Sequence, residues 1–234
     1  MARAVTTSII PWFTHRRMLP KWAGFAVALG LAVAFWTPHF VWLVPAGFAI
    51  FFPIEYGVHR GVYHHFANRP AGKVLSKQHV AHHDAPQDLD FLFNDPRFGT
   101  VTAIALFGLY TAIGALAGVS NVVGTAAALA TGNYCGFVYY EWIHLAAHRP
   151  GVTPWMPWNR ALKRYHLWHH FKNEHYWFGV TTSTFDHVFG SWKDQAEVPT
   201  SPTVRTLVPP EEHREWMDSV RKRRAKPTAG RAES

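Results

Sequence analysis

The sequence predicts an all-α integral membrane protein: about four transmembrane helices in two hairpins, with a histidine-rich helical cap on the cytoplasmic side. Three observations carry this prediction. Two long apolar regions contain no Lys or Arg, all 23 of these basic residues fall in three segments, and thirteen of the sixteen histidines lie between His59 and His187. A dispersed surface population of histidines would not cluster in this way, so we expect one localised cap.

The first hairpin is predicted in residues 22–36 and 40–56, after a basic cytoplasmic N-terminus formed by residues 1–21. The turn is placed at Thr37-Pro38-His39, because proline disfavours the continuation of a helix. Each run is shorter than the roughly 20 apolar residues of a full span, which indicates a tilted or wedge-like pair. The alternative is a signal peptide cleaved after Ala32-Val33-Ala34, which would leave the histidines on the same side of the membrane.

The second hairpin is predicted in residues 99–118 and 121–140, which again contain no Lys or Arg. Under the positive-inside rule the three basic segments are cytoplasmic, and both turns face away from the cytoplasm. Because an even number of crossings returns the chain to the same side, both termini and all histidine groups are expected at one cytoplasmic face. The alternative is a soluble helical protein with very apolar core helices, which a chain of this length could bury only with difficulty.

Residues 22–192 are interpreted as the membrane domain, and residues 193–234 as a basic, flexible C-terminal tail. A short helix from Pro210 to Arg224 is expected within this tail, with Glu211 and Glu212 suited to the positive end of the helix dipole. The tail is either simply solvated or attracted to anionic lipid headgroups. The formal charge of +8 does not indicate nucleic-acid binding, because the sequence contains no recognition module.

Ten histidines form four groups with the spacing of metal ligands. They are His59 and His64; His79, His82 and His83; His144 and His148; and His166, His169 and His170. Offsets of three and four residues place side chains on one face of an α-helix. Neutral imidazole is a good ligand for iron, zinc, copper and nickel, and ten imidazoles exceed what one ion accepts. The pattern therefore predicts two metal ions with about five imidazoles each.

The pair His59 and His64 departs from this spacing, since the two residues are five positions apart. An α-helix does not place such residues cleanly on one face. We therefore predict a helix end or a π-bulge at this point.

Several residues beside the four groups are predicted to orient the ligands, because a ligating imidazole needs a partner on its other nitrogen. The second-shell candidates are His65, His175, Asp186 and His187, and Glu55 is a further carboxylate close to the first group. The remaining histidines, His15, His39 and His213, are left as unassigned surface residues.

The order of the four groups resembles the fatty acid hydroxylase superfamily of membrane di-iron enzymes, which includes sphingolipid fatty acid 2-hydroxylases and sterol desaturases. Local sequence agrees: Glu55-Tyr56 precedes the first group, Ala85-Pro86 follows the second, and Gly179-Val180-Thr181-Thr182 follows the fourth. The resemblance covers about residues 55–192. Its four-residue gap in the first group and three-residue gap in the third are most similar to the fatty acid 2-hydroxylases.

The resemblance implies a non-heme di-iron oxygenase that uses O₂ and external electrons to hydroxylate a lipid acyl chain. The ten histidines would hold two iron ions, for which zinc could substitute without supplying redox chemistry. The partners implied are a membrane lipid substrate and a ferredoxin- or cytochrome b5-like electron donor. The substrate tail is expected among the aromatic residues near the histidines: Tyr139, Tyr140, Trp142, Trp168 or Phe178.

The chain departs from the family in two respects. The segment His175-Tyr176-Trp177 lengthens the link after His170, and no heme-binding cytochrome b5 module is recognised. Both departures leave the substrate and the donor open. A sterol or carotenoid oxidase or desaturase of the same superfamily remains an alternative. Two further alternatives belong to other classes of protein: a metal-binding or metal-transporting membrane protein, and a zinc-loaded structural protein.

Overall fold

The computed structural model describes residues 9–67, 69–150, 152 and 157–225, and within them every regular element is a helix. This confirms the predicted all-α class. The helices are α1 (Ile10–Thr14), α2 (Leu19–Ala34), α3 (Phe40–Gly57), a π-helix (Val58–His65), α4 (Pro70–Asp84), α5 (Leu89–Leu92), α6 (Pro96–Leu116), α7 (Val122–His148), α8 (Pro157–Phe171), α9 (Thr184–Val188), a short 3-10 helix (Gln195–Glu197) and α10 (Pro210–Ala225).

Two stretches are long and apolar enough to cross a membrane, Phe40–His65 and Leu89–Leu116, while the apolar helix Leu19–Ala34 is shorter. The break predicted at residues 37–39 is present between α2 and α3. The fourth predicted run, residues 121–140, is longer than expected. Its helix α7 continues to His148, because no proline or glycine interrupts it after Gly136.

Helix α7 forms the centre of the molecule, and α2, α3 and α6 pack around it. Small residues make this packing close. A Cβ atom added at Gly47 on α3 would lie 2.0 Å from the Leu129 carbonyl oxygen, and one at Gly132 on α7 would lie 2.0 Å from the Val44 carbonyl oxygen. Small residues at helix crossings let the backbones approach closely. Helix α7 is thereby fixed against α3, so the histidines at the end of α7 lie on the same side as those of the π-helix that follows α3.

The N-terminal segment also packs onto α7. The Trp12 indole donates a hydrogen bond to the Val138 carbonyl at 3.1 Å, and the Trp12 ring meets the ring of Trp142 edge to face. His15, which the sequence left as a surface residue, is half-buried with Nε2 3.4 Å from an Asp90 carboxylate oxygen. Residues 1–8 of the predicted basic N-terminus lie outside the described residues.

The segment predicted to be a flexible tail is folded onto the histidine helices over residues 193–225. Val198, Val204, Val208 and Met217 bury their side chains there. The Lys77 ammonium donates to the Ser219 hydroxyl at 2.7 Å, so α10 is tied to α4. Burial of these apolar side chains explains why the segment is ordered and not flexible, because removing apolar surface from water stabilises the folded conformation. Residues 226–234 lie outside the described part of the chain.

The expected C-terminal helix is present as α10, which begins at Pro210. Lys73 on α4 forms an ion pair with Glu212, which is one of the two acidic residues in the first turn of α10. His213, left as a surface residue by the sequence, is half-buried, and its Nε2 atom lies 3.7 Å from an Asp84 carboxylate oxygen. These contacts join α10 to the helix that carries the second histidine group.

Candidate metal centre

A π-helix carries the first two histidines. Residues Val58–His65 form this π-helix directly after α3, and the Phe66 amide donates to the Gly61 carbonyl five residues earlier at 2.9 Å. The wider turn brings residues five apart onto one face, so His59 and His64 point in a common direction. The prediction of a π-bulge or helix end at this spacing is confirmed.

The structure sorts the ten histidines into two groups of five, in each of which one nitrogen per imidazole lies within 4.8 Å of all the others. The first quintet is His59, His64, His79, His83 and His169, and the second quintet is His82, His144, His148, His166 and His170. Helices α4 and α8 contribute to both quintets. Nine of the ten residues are buried and His64 is half-buried, so the two quintets form one enclosed cluster.

Four pairs of Nε2 atoms have the spacing of neighbouring ligands on one ion. The separations are 2.9 Å for His64–His79, 3.1 Å for His64–His169, 2.8 Å for His82–His144 and 2.9 Å for His148–His166. Two nitrogens about 2.1 Å from one ion are about 3.0 Å apart when adjacent and about 4.2 Å apart when opposite. The close pairs match the adjacent separation.

In three histidines of the first quintet, a hydrogen bond from the outward ring nitrogen determines which nitrogen faces the centre of the quintet. Backbone carbonyl oxygens accept from Nδ1 in each case: Phe178 from His59 at 2.5 Å, Val204 from His83 at 2.9 Å and Tyr176 from His169 at 2.8 Å. A neutral imidazole has one N–H, so donation from Nδ1 leaves Nε2 with a free lone pair. That lone pair points inward, where a metal would accept it.

Hydrogen bonds among the imidazoles cannot provide a partner for every inward-facing ring nitrogen. The Nε2 atom of His64 faces two nitrogens at once, those of His79 and His169, and it carries at most one proton. The Nε2 atoms of His59, His83 and His170 are buried and have no hydrogen-bond partner among the described residues. Each such orphan costs about 1–3 kcal/mol. Metal coordination would satisfy these nitrogens, and the donor set fits iron or zinc.

Burial favours the neutral form of the imidazoles, which is the form that binds a metal. Burial lowers the pKa of His83 to about 3, although its hydrogen bond to the Val204 carbonyl acts in the opposite direction. Burial, and then the neighbouring imidazoles, lower the pKa of His82 and His170 well below the ordinary value. These side chains are therefore uncharged near pH 7, and no proton has to be removed before they bind a metal.

Asp186, a predicted second-shell residue, holds the loop that supports His59. Its carboxylate accepts from the backbone amides of Phe178 at 2.8 Å and Gly179 at 2.7 Å, and from the Ser191 hydroxyl at 2.7 Å. Burial raises the pKa of Asp186, while these hydrogen bonds act in the other direction. The carboxylate positions the Phe178 carbonyl, which in turn accepts from the His59 imidazole.

Glu55 holds the next two residues of the same loop. Its buried carboxylate accepts from the Val180 amide at 2.7 Å and from both the amide and the hydroxyl of Thr181. Glu55 lies in the last turn of α3, about one turn before His59 in the π-helix that follows. Residues 180 and 181 of the segment Gly179-Val180-Thr181-Thr182 are therefore held against α3, next to the π-helix that carries His59 and His64.

The other second-shell candidates are exposed. His187 stacks on Trp192 with ring centroids 4.8 Å apart, and the His175 side chain is 70% exposed with Nε2 3.5 Å from Glu174. His65 lies on the outer side of the π-helix and is also exposed. Their assignment as partners of the ligands stays a prediction.

The C-terminal segment is part of the centre, although nothing in the sequence indicated it. Besides the Val204 carbonyl on His83, the Arg205 guanidinium donates to the carbonyl oxygens of His83 at 2.9 Å and Asp84 at 2.5 Å. It also lies 5.2 Å from the Phe171 ring at the end of α8. Arg205 thus joins the ends of α4 and α8. Backbone carbonyls leave no residue signature, so no pattern in the sequence marked this segment as part of the centre.

An apolar cavity of about 770 Å³, measured with its open mouth, reaches the first quintet between α3, α6 and α7. Its lining begins at His59 and Tyr140 and extends away from the histidines to Phe51, Leu106 and Ala130. Along α7 this lining covers residues 130–140, or about 15 Å at 1.5 Å per residue. Of the aromatic residues expected around a substrate tail, Tyr140 is the one that lines this cavity.

The helices and the two quintets together define a helical protein of the histidine-box type. Residues 44–191 match the sequence model of the fatty acid hydroxylase family. Because this match covers more than half of the chain, the protein belongs to the fatty acid hydroxylase family.

Named relatives and one solved structure agree. The chain is 35% identical to dihydroceramide fatty acyl 2-hydroxylase FAH1 of Arabidopsis thaliana over 155 residues, which are 66% of this chain and 62% of that protein. It is 31% identical to the ceramide very long chain fatty acid hydroxylase SCS7 of Saccharomyces cerevisiae, over 59% of this chain and 35% of that protein. It therefore spans less than two thirds of each of these relatives. The hydroxylase domain in the structure of full-length Scs7p superposes with a TM-score of 0.66 at 26% identity, covering 82% of this chain and 71% of that one.

Proposed function

We propose that this protein is a membrane-bound non-heme di-iron oxygenase that hydroxylates a lipid acyl chain with O₂ and external electrons. The observation that carries the proposal is the pair of buried quintets, whose nitrogens lie within 4.8 Å of one another in each group. Iron suits imidazole ligands, and zinc, which fits the same donors, has no redox chemistry. The ten histidines are proposed as the ligands of two ions.

The bound irons would supply activation of O₂ and abstraction of hydrogen from an unactivated C–H bond. The overall reaction, R–H + O₂ + 2e⁻ + 2H⁺ → R–OH + H₂O, consumes two electrons that the substrate does not provide. A ferredoxin- or cytochrome b5-like donor is therefore part of the proposal. The protein's own residues hold the ions, exclude water and place the substrate, as proteins generally do for reactive metal centres.

The apolar cavity supports an acyl chain as the substrate. Its length of about 15 Å along α7 equals half of the ~30 Å hydrocarbon thickness of a bilayer, which is the depth of one leaflet. A chain lying along α3, α6 and α7 would bring its polar end towards His59 and leave its methyl end near Ala130. The named relatives act on ceramide or dihydroceramide acyl chains, so we propose an N-acyl lipid or a fatty acid as the substrate.

The membrane placement is proposed from the basic residues. Four helices, α2, α3, α6 and the first part of α7, would cross the bilayer and would form a membrane domain over residues 22–192. The segments that carry Lys and Arg, including both chain ends, would face the cytoplasm together with the histidines. The oligomeric state is left open.

This topology predicts opposite labelling of two exposed positions. In a Cys135→Ser background, Ser120→Cys in the loop before α7 is expected to react with a membrane-impermeant maleimide only from the non-cytoplasmic side. Arg160→Cys on α8 is expected to react only from the cytoplasmic side, because it follows an even number of crossings from the N-terminus. Reaction of both positions from the same face would contradict the proposed topology.

The function itself is tested by mass spectrometry of lipids from cells that express the protein. Acyl chains one oxygen heavier are expected with the intact protein and absent with a metal-ligand variant such as His166→Ala. Products two hydrogens lighter would reassign the protein as a desaturase. An unchanged lipid profile from cells whose purified protein contains iron, supplied with both donor classes, would contradict the proposal.

A further inference from the structure

A second cavity also borders the two quintets. Its lining is more polar than that of the apolar cavity, and it includes a member of the first quintet, His79, and two of the second, His82 and His144. Its lining also contains charged side chains of both signs, among them Arg17, Lys77, Asp90 and Asp95. This cavity connects the exterior with the imidazoles of both quintets, whereas the apolar cavity reaches His59 alone among the ten.

Three residues line both cavities and form the wall between them: Tyr63, Asn94 and Phe98. We call these residues the partition. Two of them, Tyr63 and Phe98, are aromatic, with ring centroids 5.8 Å apart. Asn94 is the member with an amide side chain, and the Tyr63 hydroxyl donates to its Oδ1 atom at 3.4 Å. The Asn94 side chain therefore lies where the apolar cavity meets the second cavity.

The position of Asn94 is fixed by a buried ion pair. The Lys21 ammonium on α2 and the Glu141 carboxylate on α7 lie 2.6 Å apart, with side chains 2% and 0% exposed. The Glu141 carboxylate accepts from the backbone amide of Asn94 at 3.1 Å, and the Lys21 ammonium donates to the backbone carbonyl of Asn94 at 3.1 Å. Both backbone polar groups of Asn94 are therefore held by one ion pair.

The residue before Asn94 is held as firmly. The Gln78 amide on α4 donates to the Phe93 carbonyl at 2.6 Å, and the Arg17 guanidinium donates to the same oxygen at 3.3 Å. Residues from α2, α4 and α7 thus converge on a short link between α5 and α6 that has no regular structure of its own. Burying an ion pair is costly, and here it fixes the backbone of Asn94, while the Glu141 carboxylate also hydrogen-bonds the Asn94 side-chain amide.

We infer that Asn94 is a substrate-binding residue that receives the carbonyl end of the acyl chain at the partition and thereby selects the carbon to be oxidised. The side-chain amide of Asn94 hydrogen-bonds the Tyr140 hydroxyl and the Glu141 carboxylate, and a substrate carbonyl oxygen would replace the Tyr140 hydroxyl as the acceptor of one of its N–H groups. The alkyl part of the substrate lies in the apolar cavity, and the headgroup lies in the polar one. The carbons next to the carbonyl then lie beside the quintets.

This inference rests on the proposed function and adds the residue that sets the position of reaction. The shared chemistry of the ligand is a carbonyl group heading an alkyl chain, whether from a free fatty acid or from an N-acyl amide. Holding a reacting atom in one geometry is a large part of catalysis, so loss of one positioning contact changes where the reaction occurs as well as how fast.

The test compares Asn94→Leu with the control Gln87→Leu, which likewise replaces an amide side chain by leucine but at an exposed position between α4 and α5. Asn94→Leu is expected to raise KM about tenfold, the effect of one lost hydrogen bond, and to spread the product over neighbouring positional isomers. The control is expected to keep the wild-type KM and a single isomer. Metal content and melting temperature are measured on every variant.

A second variant distinguishes the two ligand sources and guards against misfolding. Asn94→Asp keeps the shape of the side chain and places a carboxylate beside Tyr63, so it is expected to raise KM far more for a free fatty acid than for a ceramide. Unchanged KM values and a single isomer in a metal-containing Asn94→Asp or Asn94→Leu protein would overturn the inference. The proposed function fails separately, if the wild-type protein makes no oxygenated product.

Discussion

Replacing His169 by alanine is expected to abolish activity and to remove metal from the first quintet. The His169 Nε2 atom lies 3.1 Å from that of His64, and its Nδ1 donates to the Tyr176 carbonyl, so its free lone pair faces the quintet. Changes in residues that only support ligands cost 10–100-fold in metal affinity or activity. Loss of a ligand is expected to cost more than about 100-fold. Product formation and metal content in the purified variant measure this.

The control for this variant is His39→Ala. His39 is an exposed histidine in the turn between α2 and α3, at the other end of these helices from the quintets. The same change there is expected to leave metal content and product formation at the wild-type level. Full activity and two bound metals in the His169→Ala protein would contradict the ligand assignment, since no other imidazole of the cluster could take its place without leaving its own.

Lys21→Met is expected to give the largest loss of stability among single changes at the ion pair. It leaves the Glu141 carboxylate buried, 0% exposed, without its positive partner. Removing one member of a buried ion pair typically costs about 3–5 kcal/mol. The expected result is a marked fall in the melting temperature of the detergent-solubilised protein, together with a rise in KM, because the Asn94 carbonyl loses its donor.

Two further variants separate this effect from a general loss of charge. Lys21→Met combined with Glu141→Gln removes both charges and retains an acceptor for the Asn94 amide, so it is expected to restore part of the lost stability. Arg16→Met breaks an exposed pair with Asp90 at 2.9 Å, which should contribute no more than about 1 kcal/mol. A double variant as unstable as Lys21→Met would show that the uncompensated Glu141 charge is not the cause.

The histidine centre could be predicted from the sequence because its signal is local. Spacings of three and four residues put His79, His82 and His83 on one side of a helix wherever that helix lies. The five-residue spacing of His59 and His64 likewise indicated a distorted helix, and the structure contains a π-helix there. The division into two quintets could not be predicted, because α4 and α8 each contribute to both and only the packing of helices decides which imidazole faces which group.

The supports of the centre were largely beyond sequence reasoning. The carbonyls of Tyr176, Phe178 and Val204 accept from three imidazoles, and any residue type could have supplied them. The C-terminal segment had been predicted to be flexible from its prolines and charges, but its order comes from contacts with residues about 120 positions earlier, such as Arg205 with His83. Contacts of this kind depend on the fold and leave no periodic signal in the sequence.

The central claim is that this chain holds two metal ions in two quintets, and the most direct measurement is the metal content of the purified protein after reconstitution with ferrous iron. The wild-type protein is expected to bind two iron ions per chain. His83→Ala in the first quintet and His170→Ala in the second are each expected to retain one. A wild-type protein that binds one ion or none, with the same content in both variants, would contradict the claim.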